Sequence, residues 1–449
     1  MTKPALRATT LLAILFFAVA HALCAQTFNV APMTGGYVAA KPGSDSVNAA
    51  VRLTNFGSTA VTDFTYTLYY MDTRQTEGPV GYHLDTPLES GDNVTVEIPI
   101  APGTELGQTD VVLSVPTVNG QNNTTSVNYT YITRYTLNKV PRKRVLMEIH
   151  TGLWCPHCLR AHVVLESLGR LYPESFVGIA VHYTDALGTD VQRVEGLEAK
   201  WGSGKPSVWC ARKNKLGGVD GIAAFENELA IMPFADLDVT ATWSDDTHTG
   251  IDVTATVEPC ITPAEGAEYA VAYVLTANGL TGYNQKCDYS EISSFYYDAA
   301  IAPDIAPFLD RSNYNAYGQV TGLTFNHVAV ASAGYGNGVE GSLAGSYVPN
   351  VAMEHHTTFD DFSRYDIAKN AAGLSVVALL INTQTQQVEN AACCDITEKM
   401  PASLSDAATD APHAPTPLYN LGGQKASVPV VPGIYIQNGR KHLFTGKRK

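Results

Sequence analysis

The sequence has few basic residues and no long apolar run after its first 25 residues. Its 29 lysines and arginines stand against 43 aspartates and glutamates, which gives a formal net charge of −14. Nucleic-acid binding needs clustered Lys and Arg side chains that neutralise phosphates, so this composition excludes a nucleic-acid partner. No later stretch approaches the roughly 20 apolar residues of a membrane-spanning helix. We therefore expect a soluble or surface-attached protein.

The N-terminal residues 1–25 have the pattern of a secretory signal peptide. Basic residues precede an apolar run at 11–19, and small residues follow it. Cleavage after Ala22 or Ala25 is the preferred interpretation. Lipidation of Cys24 is the alternative, but the three residues before this cysteine are a poor context for lipoprotein processing. The protein should therefore act outside the cytoplasm.

Alternating apolar and polar residues dominate two long parts of the remaining chain. Short runs of this kind, separated by turn residues, predict an antiparallel, immunoglobulin-like β-sandwich at 26–140. The same pattern returns at 236–398 and predicts a second sandwich with long insertions, including a glycine-rich loop. Residues 399–417 are rich in Pro, Ala, Ser and Asp, which is typical of a linker. A short C-terminal tail, 418–449, closes the chain.

Residues 141–235, between the two predicted sandwiches, have the pattern of an α/β layer fold. A strand at 145–149 is followed by apolar residues at helical spacing until Pro173, and the apolar run at 176–181 is typical of a buried parallel strand. The later segments predict, in order, a helix at 191–201, a proline, a strand at 207–213 and a helix at 221–232. This order of elements predicts an α/β domain.

The part of this domain that carries chemistry is the motif Trp154-Cys155-Pro156-His157-Cys158. Cys155 lies where a strand meets a helix, and the unpaired amides of a helix N-terminus favour a thiolate. Pro156 suits the first helical position, and His157 adds a hydrogen-bond donor beside the sulfur. Cys158 follows on the same helical face, close enough to form a disulfide with Cys155. We expect Cys155 to be the exposed nucleophile and Cys158 to be the buried resolving cysteine.

Residues 144–235 resemble the thioredoxin superfamily through the motifs at 151–158 and at 204–207. The resemblance implies that Pro206 is a cis-proline that faces the redox motif and offers backbone groups to a bound substrate strand. Two positions depart from the family pattern. Ile149 stands where the family has a buried aspartate, and Glu148 is displaced by one residue, which places it on the opposite face of the strand. Lys205 replaces the usual Thr or Val before the proline.

The whole arrangement resembles, more narrowly, the Omp28-related exported proteins of Bacteroidetes. The residues that carry this resemblance are 148–152, His182, 204–207 with Arg212, 326–328 and the closing strand at 376–391. The C-terminal segment, through 418–424 and 433–441, resembles the sorting signals of the type IX (Por) secretion route. These resemblances imply the cell surface or the medium rather than the periplasm, and they are compatible with attachment to the outer-membrane surface.

Two other interpretations of the cysteine motif remain open. Cys155 and Cys158 could be half of a zinc site, with Cys210 and either His150 or His182 as the other two ligands. A proline between the cysteines and an exported chain favour redox chemistry instead, so no metal is expected. The pair could also be an inert structural disulfide, although its position at a helix start favours a reactive one.

Five further cysteines lie between the motif and the C-terminus. Cys210 is expected to be a small buried hydrophobic residue of its strand. Cys260, Cys287, Cys393 and Cys394 form an even set in one exported region and are candidates for structural disulfides. Because adjacent strand residues point to opposite faces, Cys393 and Cys394 could each pair with a different one of the other two. Three connectivities exist, and the spacing does not choose among them.

The sequence thus predicts a multidomain chain, in which an α/β thioredoxin-like domain is flanked by two all-β immunoglobulin-like sandwiches. The first functional hypothesis is an exported thiol:disulfide oxidoreductase that acts on cysteine-containing exported proteins and needs no cofactor beyond a Cys155–Cys158 disulfide. The dipeptide Pro156-His157 is similar to that of strongly oxidising periplasmic enzymes, whereas Trp154 is as in thioredoxin, so oxidation or isomerisation is slightly favoured over reduction. The alternative is a cell-surface binding or structural protein with an inactive scaffold.

Overall fold

The computed structural model of the chain describes residues 27–216, 221–294 and 299–398, together with four short strands beyond residue 417. The predicted signal peptide at 1–25, with Cys24, and the predicted linker at 399–417 lie outside the described residues. Within the described ranges, no helix is long and apolar enough to cross a membrane. The chain divides into two compact units, Met1–Thr397 and Glu398–Lys449.

The first part of the larger unit is built from two sheets around one apolar core, and we call residues 27–140 the two-sheet region. Its strands are β1 (Val30–Thr34), β2 (Tyr37–Ala40), β3 (Val47–Asn55), β4 (Val61–Tyr70), β5 (Gln75–Leu88), β6 (Asn93–Ile100), β7 (Gly107–Val118), β8 (Gln121–Asn122) and β9 (Tyr129–Thr136). One sheet has the order β1-β3-β6 and the other the order β2-β9-β7-β4-β5, with β8 beside β7. In β3, Ala49, Val51 and Leu53 are buried while the residues between them are exposed, so strict alternation directs one face inward.

The rest of the larger unit is dominated by one sheet of eleven strands, which we call the long sheet. Its strands are β10 (Val145–Thr151), β11 (Phe176–His182), β12 (Ser207–Cys210), β13 (Asn214–Leu216), β14 (Ala235–Trp243), β15 (Ile251–Pro259), β16 (Tyr269–Asn278), β19 (Val328–Ala333), β20 (Met353–Phe359), β21 (Gly373–Asn382) and β22 (Val388–Thr397). The order is β13-β12-β10-β11-β19-β16-β21-β22-β14-β15-β20. A separate two-stranded sheet pairs β17 (Gln285–Lys286) with β18 (Gln319–Val320).

The predicted fold class, an α/β thioredoxin-like domain flanked by two immunoglobulin-like sandwiches, is wrong. Strands β10 to β13 continue directly into the strands that follow residue 235, because β11 pairs in parallel with β19 through Ala180 and Val328. Every residue of β11 is buried. A buried strand needs hydrogen-bond partners on both edges, and β10 supplies only one of them. The molecule is therefore mostly β, with one sheet shared between the two predicted domains.

Among the residues that the structure describes, five helices accompany the sheets: α1 (Leu159–Leu171), α2 (Gly221–Leu229), α3 (Tyr289–Ser294), α4 (Ala302–Leu309) and α5 (Asp366–Asn370). Helix α1 packs its apolar residues, including Val164 and Leu168, against Met147 and Ile149 of β10. The predicted helix at 191–201 is instead divided into a 3-10 turn and a π-helical turn. Gly196, which lies between the two turns, has a φ of +75°, so the backbone leaves the right-handed helical region there.

The smaller unit contains the predicted C-terminal tail. Its described residues form β23 (Leu418–Asn420), β24 (Lys425–Ala426), β25 (Gly433–Gln437) and β26 (Arg440–Phe444). These strands make an antiparallel sheet in the order β24-β23-β25-β26. Part of the tail is therefore an ordered antiparallel sheet.

Candidate functional site

The predicted redox motif lies on the loop between β10 and α1, and we call residues 152–158 the CPHC loop. Cys155 and Cys158 are joined by a disulfide, with their Cα atoms 5.4 Å apart. Helix α1 begins at Leu159, with Cys158 as its N-cap residue. The helix therefore starts later than the sequence predicts, and Pro156 lies in the preceding turn. Cys158 is the cysteine nearer to the helix, and its carbonyl accepts from the amides of Ala161 (3.1 Å) and His162 (3.3 Å).

Both cysteines are buried, which corrects the expectation of an exposed nucleophile. Cys155 exposes 2% of its surface and Cys158 none, whereas Trp154 is half exposed. The cover over the loop includes a distant part of the chain, Gln285–Asp288, which we call the cap segment. The Lys286 amide donates to the Leu153 carbonyl (2.8 Å), and the Asp288 amide donates to the Pro156 carbonyl (3.1 Å).

Gln285 makes the most extensive contact between the cap segment and the CPHC loop. Its side chain is buried, and its Nε2 donates to the carbonyl oxygens of Cys155 (2.8 Å), Gly152 (3.2 Å) and Leu153 (3.4 Å). Each of these carbonyls also accepts a backbone amide, which comes from Cys155, Lys286 and Cys158 for Gly152, Leu153 and Cys155 respectively. Gln285 therefore joins the cap segment to the backbone that carries the disulfide.

The other side of the CPHC loop borders a cleft beside Pro206. The Lys205–Pro206 peptide is cis, and Ser207 lies opposite His150 in the pairing of β12 with β10. The Trp154 indole Nε1 donates to the Tyr183 carbonyl (2.8 Å). The Lys205 ammonium sits 3.6 Å from the centre of the Tyr183 ring and donates to the Gly202 carbonyl. The cleft has a volume of about 450 Å³ and is lined by Trp154, Tyr183, Glu198 and Lys205 among others.

A buried carboxylate fixes the start of the CPHC loop. Asp185 Oδ2 accepts hydrogen bonds from the Leu153 amide (2.7 Å) and from His182 Nδ1 (2.9 Å), while its Oδ1 accepts one from the Leu187 amide (2.8 Å). Burial alone would raise the pKa of Asp185, but His182 and the two amides lower it below its ordinary value. Asp185 is therefore held as an anion that positions Leu153.

Glu148 lies on the face of β10 opposite Ile149, as the one-residue offset predicts. Its two oxygens accept from Arg212 Nε (2.8 Å) and His150 Nε2 (2.8 Å). Arg212 also donates to the Tyr335 carbonyl (2.9 Å). The side chains of Glu148, His150 and Arg212 are all buried. Burial would raise the pKa of Glu148, but Arg212 and His150 lower it to about 2, so this carboxylate is ionised and is not a proton acceptor for the cysteines.

The remaining predicted site residues are not brought together. Cys210 is buried, and burial raises the pKa of its thiol to about 12. No disulfide joins Cys260, Cys287, Cys393 and Cys394, so the predicted structural disulfides are absent from the described part of the chain. Cys393 and Cys394 lie opposite Val377 and Val376 in the pairing of β22 with β21. Within the described ranges, no cluster of three or more His, Cys, Asp or Glu side chains could hold a metal ion.

Sequence reasoning missed three residues of the site: Gln285, Tyr183 and Asp185. Asp185 had a weak local signal, since it follows His182 by three residues and precedes a turn. Gln285 had none, because its hydrogen bond to Cys155 joins residues that are 130 positions apart. Contacts over such distances leave no local pattern.

These features define a mostly-β protein with a buried, oxidised two-cysteine turn where a strand meets a helix. No protein-family model matches the chain, and no curated protein matches it. The resemblances to the thioredoxin superfamily, to Omp28-related proteins and to type IX sorting signals therefore have no support from these comparisons.

Several solved structures are similar to part of the chain. One is HBP35 of Porphyromonas gingivalis, with a TM-score of 0.40 and 17% identity over 68% of this chain and 98% of that one. Another is a protein from Agrobacterium tumefaciens, with a TM-score of 0.30 and 14% identity over 59% of this chain and 98% of that one. Similarities this distant describe a partial likeness of fold alone.

Proposed function

We propose that the protein is an exported thiol:disulfide oxidoreductase that acts on cysteine-containing exported proteins. The observation that carries the proposal is the Cys155–Cys158 disulfide, closed directly before α1 with Cys158 as the N-cap residue. A negative charge on sulfur is favoured near the positive end of a helix dipole. The two cysteines can therefore alternate between a disulfide and a thiol-thiolate pair, without a further cofactor.

The bonded pair accepts two electrons from a substrate dithiol. A substrate thiolate attacks Cys155 Sγ, the Cys155–Cys158 bond breaks, and Cys158 leaves as a thiolate. The second substrate thiolate then attacks the substrate sulfur of the mixed disulfide, and Cys155 leaves. The substrate gains a disulfide, and the two protons of its thiols pass to the cysteine pair or to water. A partner disulfide restores the oxidised pair by the reverse exchange.

The cleft beside Lys205 supports this assignment, because it adjoins the CPHC loop through Trp154 and offers a place for a segment of a partner. Trp154 forms one wall and Lys205 another. We propose that this cleft, together with Trp154, Pro156, His157 and Pro206, orients the substrate cysteine. Export is supported by the signal-peptide pattern at 1–25, and protease treatment of intact cells would test exposure at the cell surface.

One observation favours a second candidate, a cell-surface binding or structural protein in which the disulfide is inert. Cys155 exposes only 2% of its surface. Thiol-disulfide exchange requires in-line access to a sulfur atom, so a permanently covered pair would be structural.

The deciding experiment is oxidative refolding of a reduced substrate protein by the full mature chain, with glutathione disulfide as the terminal oxidant. The wild type should accelerate disulfide formation, and Cys155→Ser should abolish the acceleration. Cys393→Ser is the matched control, since Cys393 is an exposed cysteine outside the site and should leave the rate unchanged. Equal rates for wild type and Cys155→Ser would establish the second candidate.

A further inference from the structure

The cap segment, Gln285–Asp288, contacts the CPHC loop in the manner of a bound strand. The Lys286 and Asp288 amides donate to the Leu153 and Pro156 carbonyls, which lie on either side of Cys155. Backbone hydrogen bonds of this kind are what an extended peptide forms when it docks on an exposed backbone edge. The cap segment therefore occupies backbone positions that a substrate segment would need in order to approach Cys155.

The Gln285 side chain adds buried hydrogen bonds to this contact between the cap segment and the CPHC loop. Its Nε2 lies within hydrogen-bond distance of three carbonyl oxygens of the loop, with the Cys155 carbonyl closest at 2.8 Å. The hydrogen bonds form in a buried environment, where an amide and its carbonyl partners cost free energy if separated without water. Gln285 thus holds the loop and the cap segment together.

The cap segment is also held on its other edge, where the Cys287 amide donates to the Gly318 carbonyl (3.3 Å). Strand β17 pairs with β18 through only two residue pairs, Gln285 with Val320 and Lys286 with Gln319. This two-stranded sheet is separate from the long sheet. A two-stranded sheet of this length has little stability of its own. The cap segment can therefore leave the loop together with β18, without breaking a strand pair of the long sheet.

We propose that the cap segment controls access to Cys155, and that Gln285 is the positioning residue that holds it closed. The inference rests on the proposed oxidoreductase function. The substrate that opens the site is an extended, cysteine-bearing segment of a partner protein, because it can replace the backbone hydrogen bonds that the cap segment gives up. A bulky reagent without such a segment is excluded while the cap segment is closed.

The test compares the rates at which a small dithiol, dithiothreitol, and a folded protein dithiol reduce the disulfide in the full chain. Gln285→Ala removes the side-chain hydrogen bonds and should raise the rate with the protein dithiol by about tenfold or more, since each tenfold step corresponds to about one lost hydrogen bond. The rate with dithiothreitol should rise less. Gln285→Glu places a carboxylate against the same carbonyl oxygens and should raise the rate further.

Gln319→Ala is the matched control, because Gln319 lies on the paired strand and its Oε1 accepts from Asn315 rather than from the loop. It should leave both rates unchanged. Equal rates in wild type and both Gln285 variants would overturn the proposal. So would a Gln319→Ala rate that rises as much as that of Gln285→Ala, since loosening of the small sheet would then explain the effect.

Hydrogen exchange in the wild type tests the same point without a substitution. The Lys286 and Asp288 amides should exchange by local opening, faster than the amides of β10, which require unfolding of the long sheet. Exchange of all these amides at one common rate would overturn the proposal. Neither measurement requires turnover. A cap effect without substrate oxidation refutes the proposed function alone, and turnover without a cap effect refutes this inference alone.

Discussion

The two-sheet region and the long sheet bury different kinds of side chain. In the two-sheet region the core is apolar, and the buried Arg134 pairs with an Asp72 whose side chain is 27% exposed. In the long sheet, Glu148, Arg212 and His150 are enclosed together beside the strand that leads to the CPHC loop. The first region depends mainly on burial of the right apolar faces, because the Asp72 side chain keeps contact with water. The second depends on a specific set of charged partners, because each loses its water.

The largest expected effect comes from removing the charge partner in the long sheet. Arg212→Met should lower the free energy of unfolding by about 3–5 kcal/mol, because it leaves the Glu148 carboxylate buried without its guanidinium. Arg134→Met in the two-sheet region should cost less, about 1–3 kcal/mol, because Asp72 regains water. Urea titrations of both variants measure the difference.

A second substitution separates lost charge pairing from lost packing. Glu148→Gln added to Arg212→Met should restore part of the stability, since no buried charge is then left unpaired. Equal losses for the two arginine variants, or no recovery in the double variant, would contradict the contrast between the regions.

The next largest expected effect is a difference between the two regions in how much stability is lost at low pH. The pKa of Glu148 falls from its ordinary value of 4.5 to about 2 in the folded protein. A carboxyl group whose pKa is lowered by folding stabilises the folded state fully at a pH above its pKa in the unfolded chain. This stabilisation is lost as the pH falls through its pKa in the folded protein. This corresponds to about 3 kcal/mol lost between about pH 5 and pH 2. Glu148→Gln should remove that part of the pH dependence in urea titrations across this window.

Asp63 provides the matched case in the two-sheet region. Hydrogen bonds from Thr62 and then His83 lower its pKa, but the carboxylate is exposed and water screens the interaction. Asp63→Asn should therefore change the acid sensitivity much less than Glu148→Gln does. A change of the same size in both variants would remove the distinction.

The smallest expected effect concerns Trp154, whose ring is half exposed at the cleft. Trp154→Phe keeps an aromatic ring but removes the indole donor to the Tyr183 carbonyl. The loss should be about 1 kcal/mol in the free energy of unfolding, the usual value of one hydrogen bond. An unchanged stability would indicate that water replaces the indole at this partly exposed position.

Local patterns predicted the elements well where neighbouring residues determine them. The alternation in β3, the continuous apolar run of β11 and the position of Cys155 between a strand and a helix all follow from the nearest residues along the chain. The disulfide between Cys155 and Cys158 follows from their spacing, which keeps them within one turn of each other.

The remaining features depend on residues that are distant in sequence. No residue near β11 indicates that β19 is its second neighbour in the sheet. The sequence pattern therefore predicts two domains where the structure has one shared sheet. Cys155 was expected to be exposed because a helix start is usually accessible, and the cover supplied by Gln285 has no local signal. The pairing of Glu148 with Arg212 has no local signal either, because Arg212 follows a different strand.

The parallel pairing of β11 with β19 also dictates the order in which the molecule can be assembled. Until Val328 reaches Ala180, a strand that is apolar except for His182 has an edge of unpaired amides and carbonyls. Such edges promote association between chains. The two-sheet region can form as soon as its own residues are available, whereas β10 and β11 must wait for a segment that is synthesised much later. Contacts of such high sequence separation form slowly. The CPHC loop therefore reaches its covered state only after the cap segment, 130 positions further along the chain, has docked.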